Sequence, residues 1–436
     1  MKREAEKKEI AKPFGRLLGM KDLMAADSRY LQAILAKVYD TAALYGFQKI
    51  EVPVMENFGL YRKIMKAPSL SELYVIPVGK SDRITLRPNL VYSLARVYIE
   101  HNLEEQPKPV KLFSAGPVFR QEKVQSGHYR QFSQFTFSIF GEDKPIAEAL
   151  MILVIYNIFK ELQIDVQIQI NSLGDADCQK EYLAKLVKFF KEKNHRNALC
   201  PECRKNFMKT PFALLECQKT ECREALKEAP QITDYLSEAS NKHFTRVLEY
   251  LDELNVNYNF NPAMVRGGNY YQETVFEVWP VSANGEVESH FSLGRGGRNV
   301  NIVEPLGGRP ASVVSFAGGL ERTLIKLKEG SPLFKQEENI IFLAQLGEQA
   351  KIKGLILFEE LHRAGFNVRQ AFTLDDLKGQ LEEAKNLKAK AILILGKKEV
   401  MNNTILFRDV DQGVQEVVVQ KDLKETLDKY LKNSNI

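Results

Sequence analysis

FRQEKVQSGHYRQFSQF, residues 119–135, is the stretch from which the rest of the chain can be read. It mixes three basic side chains, four glutamines, one histidine and one carboxylate with four Phe or Tyr rings, and it holds one Gly and no Pro. That is too polar for a core strand and too aromatic for a solvated loop. Residues 111–121 and 129–140 have strand composition, and KVQSGH lies between them. The stretch therefore reads as the end of a hairpin whose tip carries cations and rings.

Before it, residues 28–45 place Leu31, Ile34, Leu35, Val38, Tyr39 and Ala42 at helical spacing, and Gly46 stops the helix. FQKIEVPVM (47–55) reads as a strand in which Pro53 forces an edge or a kink. Residues 73–78 and 83–86 read as a hairpin around GKSD, and 90–99 as a helix. After the quoted stretch, 146–162 is a long apolar helix. Residues 172–254 are Lys/Glu-rich and helical in period, and they contain all five cysteines. Residues 265–279, 287–294 and 312–316 return to strand character, and 320–328 is helical. EGSPLFKQEEN is a polar linker, with a domain boundary near Glu337. Beyond it strands and helices alternate, which predicts a small mixed sheet with helices on its faces.

The chain has 436 residues, enough for two or three domains, and is 44% hydrophobic and 27% charged. A net charge of +5 is compatible with an RNA partner without demanding one. No apolar run approaches the roughly 18 residues that cross a bilayer, so no membrane partner is expected. The N-terminal MKREAEKKEIAKPFG does not have the form of a secretory signal. Five cysteines in a chain of this size make no disulfide framework, which points to a reducing cytoplasm.

Three ordered stretches resemble the class II aminoacyl-tRNA synthetases, and among them the histidyl family. GFQKIEVPVME is similar to the dimer-interface motif 1, FRQEKVQSGHYRQF to motif 2 and FAGGLER (316–322) to motif 3. MVRGGNYY and GGRNVNIVEPLGG resemble two blocks peculiar to the histidyl family. The resemblance implies an α/β (α+β) fold: an antiparallel-sheet catalytic core over residues 1–336, with a helical insertion at about 172–254, then an α/β domain similar to the family's anticodon-binding domain over 337–436. It implies a histidine–tRNA ligase working as a homodimer with ATP, Mg2+, an amino-acid substrate and a histidine tRNA.

The same resemblance assigns residues. Activation is attack of a carboxylate on the α-phosphate of ATP, so fixed cations belong where phosphoryl charge develops. Arg120 is the matching clamp, since guanidinium binds phosphate in a bidentate way. Glu122 accepts from the adenine amino group, Phe132 stacks on the base, His128 approaches the distal phosphates and Arg322 covers the other adenine face. Arg266 contacts the α-phosphate and carboxylate. Tyr270, Tyr271 and Gln134 belong to the amino-acid pocket. Lys123 and Gln125 match residues that contact the extra 5′ guanosine of the histidine tRNA.

The histidine-reading half departs from the family. LRPNLV has Asn89 and Val91 where the family has Glu and Thr, and Ser138 replaces a glutamate facing the imidazole. Asn269 and Val300 take the places of two further acids. A charged hydrogen bond contributes about 1.5–3 kcal/mol. Losing two, uncompensated, weakens histidine binding by roughly two to four orders of magnitude. Two alternatives therefore stand beside the ligase: a paralogue that activates another amino acid or small acid, and a non-catalytic synthetase-like regulatory protein. Separately, Cys200, Cys203, Cys217 and Cys222 form C-x2-C and C-x4-C pairs. Such thiols either hold a tetrahedral structural Zn2+ or stay reduced in a helical insertion.

Overall fold

The computed structural model describes residues 14–65, 69–123, 127–215, 217, 219–265, 271–282, 284–288, 291–299, 302–330 and 339–433. The chain divides into two units, Met1–Ser331 and Pro332–Ile436. The strands of the first are β1 (Gln48–Lys49), β2 (Met55–Asn57), β3 (Val75–Val78), β4 (Asp82–Leu86), β5 (Val110–Phe119), β6 (Gln131–Phe140), β7 (Val166–Ser172), β8 (Tyr258–Phe260), β9 (Tyr271–Pro280), β10 (Gly294–Asn299) and β11 (Val313–Gly319). Its helices are α1 (Ala25–Leu44), α2 (Phe58–Ile64), α3 (Val91–Glu100), α4 (Ile146–Glu161), α5 (Ala176–Lys191), α6 (Lys193–Asn197), α7 (Pro201–Asn206), α8 (Pro211–Leu215), α9 (Thr220–Lys227), α10 (Glu238–Glu253) and α11 (Leu320–Gly330).

The described residues place eight strands in one sheet, in the order β1-β5-β6-β11-β10-β9-β7-β8. Its outer pairs β1–β5 and β7–β8 are parallel and the rest are antiparallel. β2, β4 and β3 make a separate antiparallel sheet. Register decides which side chains share a face, because alternate residues point opposite ways. Gln134, Thr136 and Ser138 of β6 stand opposite Gly319, Ala317 and Ser315 of β11 on one face. Phe135, Phe137 and Ile139 point to the other face. α4 covers that second face, and Glu148 at its start binds Arg298 of β10. The helix buries Met151, Ile152, Val154, Ile155, Ile158 and Phe159, as a helix apolar nearly all round must. On the first face α3 covers only one end, where Leu94 and Tyr98 pack with Leu112, Phe140 and Val313. The remainder of that face is open.

Two segments differ from the sequence expectation. FQKIEVPVM does not make one strand: β1 keeps two residues, and the chain joins the small sheet only at Met55. Two of the carbonyls between are taken by a side chain instead, and the Val54 carbonyl accepts from the Arg87 backbone N–H at 2.9 Å. Arg87 Nη1 donates to Val52 O at 2.5 Å and to Pro53 O at 3.2 Å, and Pro53 has no N–H for a ladder. The strand expected at 287–294 begins where that range ends, and runs through glycines as β10. Packing requires those glycines. A Cβ on Gly294 would lie 2.3 Å from Phe316 Cζ, and one on Gly296 2.5 Å from Phe276 Cζ. The Phe276 and Phe316 rings stack at 5.8 Å on that face.

The second unit has β12 (Ile341–Gln345), β13 (Val368–Gln370), β14 (Ala391–Leu395), β15 (Thr404–Asp409) and β16 (Gln415–Val419), with α12 (Glu348–Arg363), α13 (Leu377–Asn386), α14 (Lys397–Asn402) and α15 (Leu423–Asn433). Its sheet runs β13-β12-β14-β15-β16, with the first three strands parallel. Ile341 and Leu343 pack in one core with Leu357 and Leu361 of α12. Phe342 and Ala344 pack in another with Ala384 of α13. Period-two alternation with a helix over each face makes three layers. Among the described residues no helix is long and apolar enough to cross a membrane.

Candidate active site

The open face of the main sheet holds a cleft of about 1020 Å³ measured out to its mouth. Arg120, Glu122, His128 and Phe132 enter it from the hairpin, and Glu321 and Arg322 from the first turn of α11. Gln134, Tyr271, Arg295 and Asn299 come from the strands, and Asn89 from the turn before α3.

Hairpin pairing carries Arg120 to this position. Phe119 stands opposite Gln131, and the Arg120 N–H donates to Arg130 O at 2.9 Å, one step beyond the ladder. The Arg120 side chain is held at three points. Nε donates to Pro88 O at 2.8 Å, Nη1 to Glu122 Oε1 at 3.3 Å, and Cζ lies 5.3 Å from the centre of the Phe132 ring, within cation–π range. Glu122 Oε2 lies 3.1 Å from His128 Nδ1, and His128 Nε2 lies 3.2 Å from Arg322 Nη2. Arg322 also donates from Nε to Gly127 O at 2.9 Å and from Nη1 to Ser292 O at 3.0 Å. Gly127 has φ +71°, and a Cβ there would meet the Phe291 ring at 3.0 Å. Glycine is what lets the loop turn its carbonyl onto Arg322.

The cleft is cationic. Burial pulls the Arg322 pKa down to about 10, helped by the charge of Arg295, and it stays protonated at neutral pH. Among the described residues no carboxylate lies within ion-pair distance of it. Burial alone raises the Glu122 carboxyl, but the Arg120 charge and hydrogen bonds from His128 and Arg120 outweigh it and leave the group below its ordinary value. Glu122 is thus an acceptor fixed among cations.

Two residues that sequence reasoning passed over support this arrangement. Both Glu321 oxygens accept from the Ser133 N–H at 2.8 Å, which pins the hairpin to the start of α11. Arg87 joins the motif 1 carbonyls to Pro117 O, which its Nε meets at 2.8 Å. Arg295 adds a third guanidinium to the cleft wall. Arg87 and Glu321 sit inside stretches already singled out, LRPNLV and FAGGLER, and Arg295 immediately precedes GGRNVNIVEPLGG. That was the available signal.

The other end of the cleft is neutral. Gln134 is buried, and its Oε1 has no hydrogen-bond partner among the described residues. Asn89 Oδ1 accepts from the Tyr92 N–H at 3.2 Å, as a helix cap does. Asn299 Nδ2 donates to Ser315 Oγ at 2.7 Å across the strands. Ser138 does not reach the cleft wall: it is fully buried further along β6, under the part of the sheet that α3 covers, and its Oγ has no partner among the described residues. Lys123 is exposed and is not on the wall either. Gln125, Arg266, Tyr270, Asn269 and Val300 lie outside the described residues.

The cysteines form a separate group in the insertion. The Sγ atoms of Cys200, Cys203, Cys217 and Cys222 all lie within 4.8 Å of one another, and none is in a disulfide. None of them lines the cleft.

Comparison with known proteins gives this geometry its relatives. The family model described as histidyl-tRNA synthetase matches residues 19–322, and that described as an anticodon binding domain matches residues 341–430. A histidine–tRNA ligase of Syntrophotalea carbinolica is 33% identical over 413 residues, 94% of this chain and 97% of that protein. One of Desulforudis audaxviator is 34% identical over 415 residues, 94% of this chain and 97% of that protein. The apo histidyl-tRNA synthetase of S. aureus superposes with a TM-score of 0.77 at 28% identity, covering 95% of this chain and all of that one. Family model, relatives and solved fold agree along nearly the whole length: this chain belongs to the histidyl-tRNA synthetase family.

Proposed function

We propose that this chain is a histidine–tRNA ligase that activates histidine with ATP and passes the histidyl group to a histidine tRNA. In the first step a histidine carboxylate oxygen attacks the α-phosphorus, the bond to the β-phosphate oxygen breaks, and pyrophosphate leaves. In the second a hydroxyl of the terminal ribose attacks the acyl carbon and AMP leaves. The observation that carries this reading is the chain Arg120–Glu122–His128–Arg322, which brings motifs 2 and 3 together on one cationic cleft.

Arg120 clamps the α-phosphate and offsets the charge that develops there. Glu122, held ionised, accepts from the adenine amino group. Phe132 and Arg322 bracket the base, and His128 faces the distal phosphates. Mg2+ enters with ATP and neutralises its phosphate charge. At the neutral end the unpartnered Gln134 Oε1 is an acceptor for the histidine ammonium, with Tyr271 beside it on the wall. Arg266 and Tyr270 are assigned to the α-phosphate and the amino-acid pocket by their motif alone, as Lys123 and Gln125 are to the tRNA acceptor end.

Residues 1–336 serve as the catalytic domain and 337–436 as the part that reads the tRNA. The active form is a homodimer in the reducing cytoplasm. Exposed apolar side chains at Val54 and Met55, within motif 1, support a subunit interface there, and the free thiols suit the compartment. The test is ATP–pyrophosphate exchange with each amino acid in turn, followed by charging of a histidine tRNA. Histidine-dependent exchange and charging are expected. A second reading, activation of a different amino acid, is favoured by the acid-free walls at Asn89 and Asn299. Exchange that prefers another amino acid at matched concentration selects it, and no exchange with any of them excludes both.

A further inference from the structure

We propose that the insertion carries a structural zinc site, with Cys200, Cys203, Cys217 and Cys222 as the four thiolate ligands of one Zn2+ ion. The first observation is geometric. A tetrahedral ion with Zn–S bonds of about 2.3 Å sets its sulfurs about 3.8 Å apart. The four Sγ atoms already lie within 4.8 Å of one another, so a small inward movement of each completes the shell. Random thiols in a helical segment do not converge in this way, since three separate elements must agree. Cys200 precedes α7 and Cys203 sits in its first turn, Cys217 follows α8, and Cys222 lies in α9.

The second observation is that backbone N–H groups already point at the sulfurs. The Cys203 N–H donates to Cys200 Sγ at 3.4 Å and the Cys200 N–H to Cys222 Sγ at 3.2 Å. Such donors offset thiolate charge and orient the ligand, as outer-shell groups around metals do. Four neutral thiols would gain little from them.

The third observation is what the site would hold together. α6, α7, α8 and α9 have five, six, five and eight residues, too short to persist without tertiary support. Their common core includes Leu199, Cys200, Phe207, Leu214 and Cys222 and continues without a break to Met264, Val265 and Tyr271. Tyr271 is on the cleft wall. A metal joining three of these helices replaces packing that so short a set of elements cannot supply. Its loss would loosen the core that backs Tyr271. Thiolate-only coordination favours zinc over the harder divalent ions.

The test begins with the full chain purified under reducing conditions from zinc-supplemented medium, with metals measured by plasma mass spectrometry. About one zinc per chain is expected. Replacing zinc with Co2+ should give the intense visible bands of tetrahedral thiolate coordination. Cys203→Ser and Cys217→Ser, which change the two less buried ligands, should each lower zinc content and thermal stability. Cys178→Ser, a thiol outside the group, should leave zinc content at the level of the parent chain. Chelation with a membrane-impermeant thiol-competitive chelator should lower Tm and raise KM for the amino acid more than KM for ATP. A chain with no zinc, four titratable thiols and an unchanged Tm after chelation overturns the proposal. Iron in place of zinc, or zinc that survives both serine variants, overturns it equally. Zinc content, the Co2+ spectrum and Tm do not depend on which amino acid is activated, so they test the site apart from the proposed function.

Discussion

Arg322 Nη2 and His128 Nε2 lie 3.2 Å apart across 194 residues of sequence. A guanidinium can only donate, so this ring nitrogen must accept. The proton of the neutral imidazole is then on Nδ1, where it donates to Glu122 Oε2 at 3.1 Å. His128 is thereby the link through which the motif 3 arginine and the motif 2 glutamate hold each other.

This tautomer can be checked by substitution. His128→Ala breaks both contacts and frees two charged groups to move. A charged hydrogen bond contributes about 1.5–3 kcal/mol, so KM for ATP in pyrophosphate exchange should rise about tenfold or more. His128→Gln keeps an N–H donor toward Glu122 and a carbonyl acceptor toward Arg322, and should recover most of that loss. Equal behaviour of the two variants would show that the link has no part in holding ATP.

Glu321 gives a pH signature. Burial raises its pKa above the ordinary 4.5, against the lowering effect of the Ser133 N–H bond. Between the unfolded and folded pKa values the native state keeps a proton that the unfolded chain has lost, so stability falls as pH rises through that window. Glu321→Gln removes the dependence. The difference in Tm, parent minus variant, should therefore decrease as pH rises from about 4.5 and then level off. A difference that stays flat from acid to neutral pH would contradict the burial argument.

How far the sequence could be read depends on where each residue's role is decided. The hairpin around residues 119–135 was legible because aromatic and polar side chains alternate locally, and β5 and β6 follow them. β10 was not, because glycine is poor strand material by propensity. The Phe276 and Phe316 rings over Gly296 and Gly294, together with the β11 carbonyls of Ser315 and Ala317, explain why glycine is needed there. The absence of acids at positions 89 and 138 was visible in sequence. That Asn89 is occupied with the Tyr92 N–H, and that Ser138 lies beyond the cleft wall, depends on α3 and could not be. Arg87 and Glu321 read as ordinary charges until the partners they meet, Val52, Pro117 and Ser133, are placed beside them.

The same ring packing makes Gly318 a sensitive position. A Cβ there would sit 2.2 Å from Phe135 Cζ, and Phe135 is fully buried. Overpacking of this kind costs about 1–3 kcal/mol, so Gly318→Ala should lower Tm measurably. The next residue supplies the contrast. A Cβ on Gly319 would meet Arg322 Cδ at 3.5 Å, an ordinary contact, so Gly319→Ala should unfold close to the parent. Identical melting of both variants would mean that the ring stack yields more easily than its burial implies.

Restoring the missing acids should give opposite results at the two positions. Asn89 lies on the cleft wall, so Asn89→Glu presents a carboxylate to a bound ammonium. A charged hydrogen bond of about 1.5 kcal/mol corresponds to roughly a tenfold lower KM for histidine. The variant also gives up the cap on the Tyr92 N–H, at about 0.5–2 kcal/mol of stability. Ser138 is fully enclosed and faces Ser315. Ser138→Glu would force one extra methylene and a charged carboxylate into that space, with no cation beside it among the described residues, and should lower Tm without improving histidine use. Amino-acid-dependent exchange and thermal unfolding of both variants separate these outcomes. If Ser138→Glu folded normally and sharpened the preference for histidine, the cleft would have to extend under α3 to reach that position.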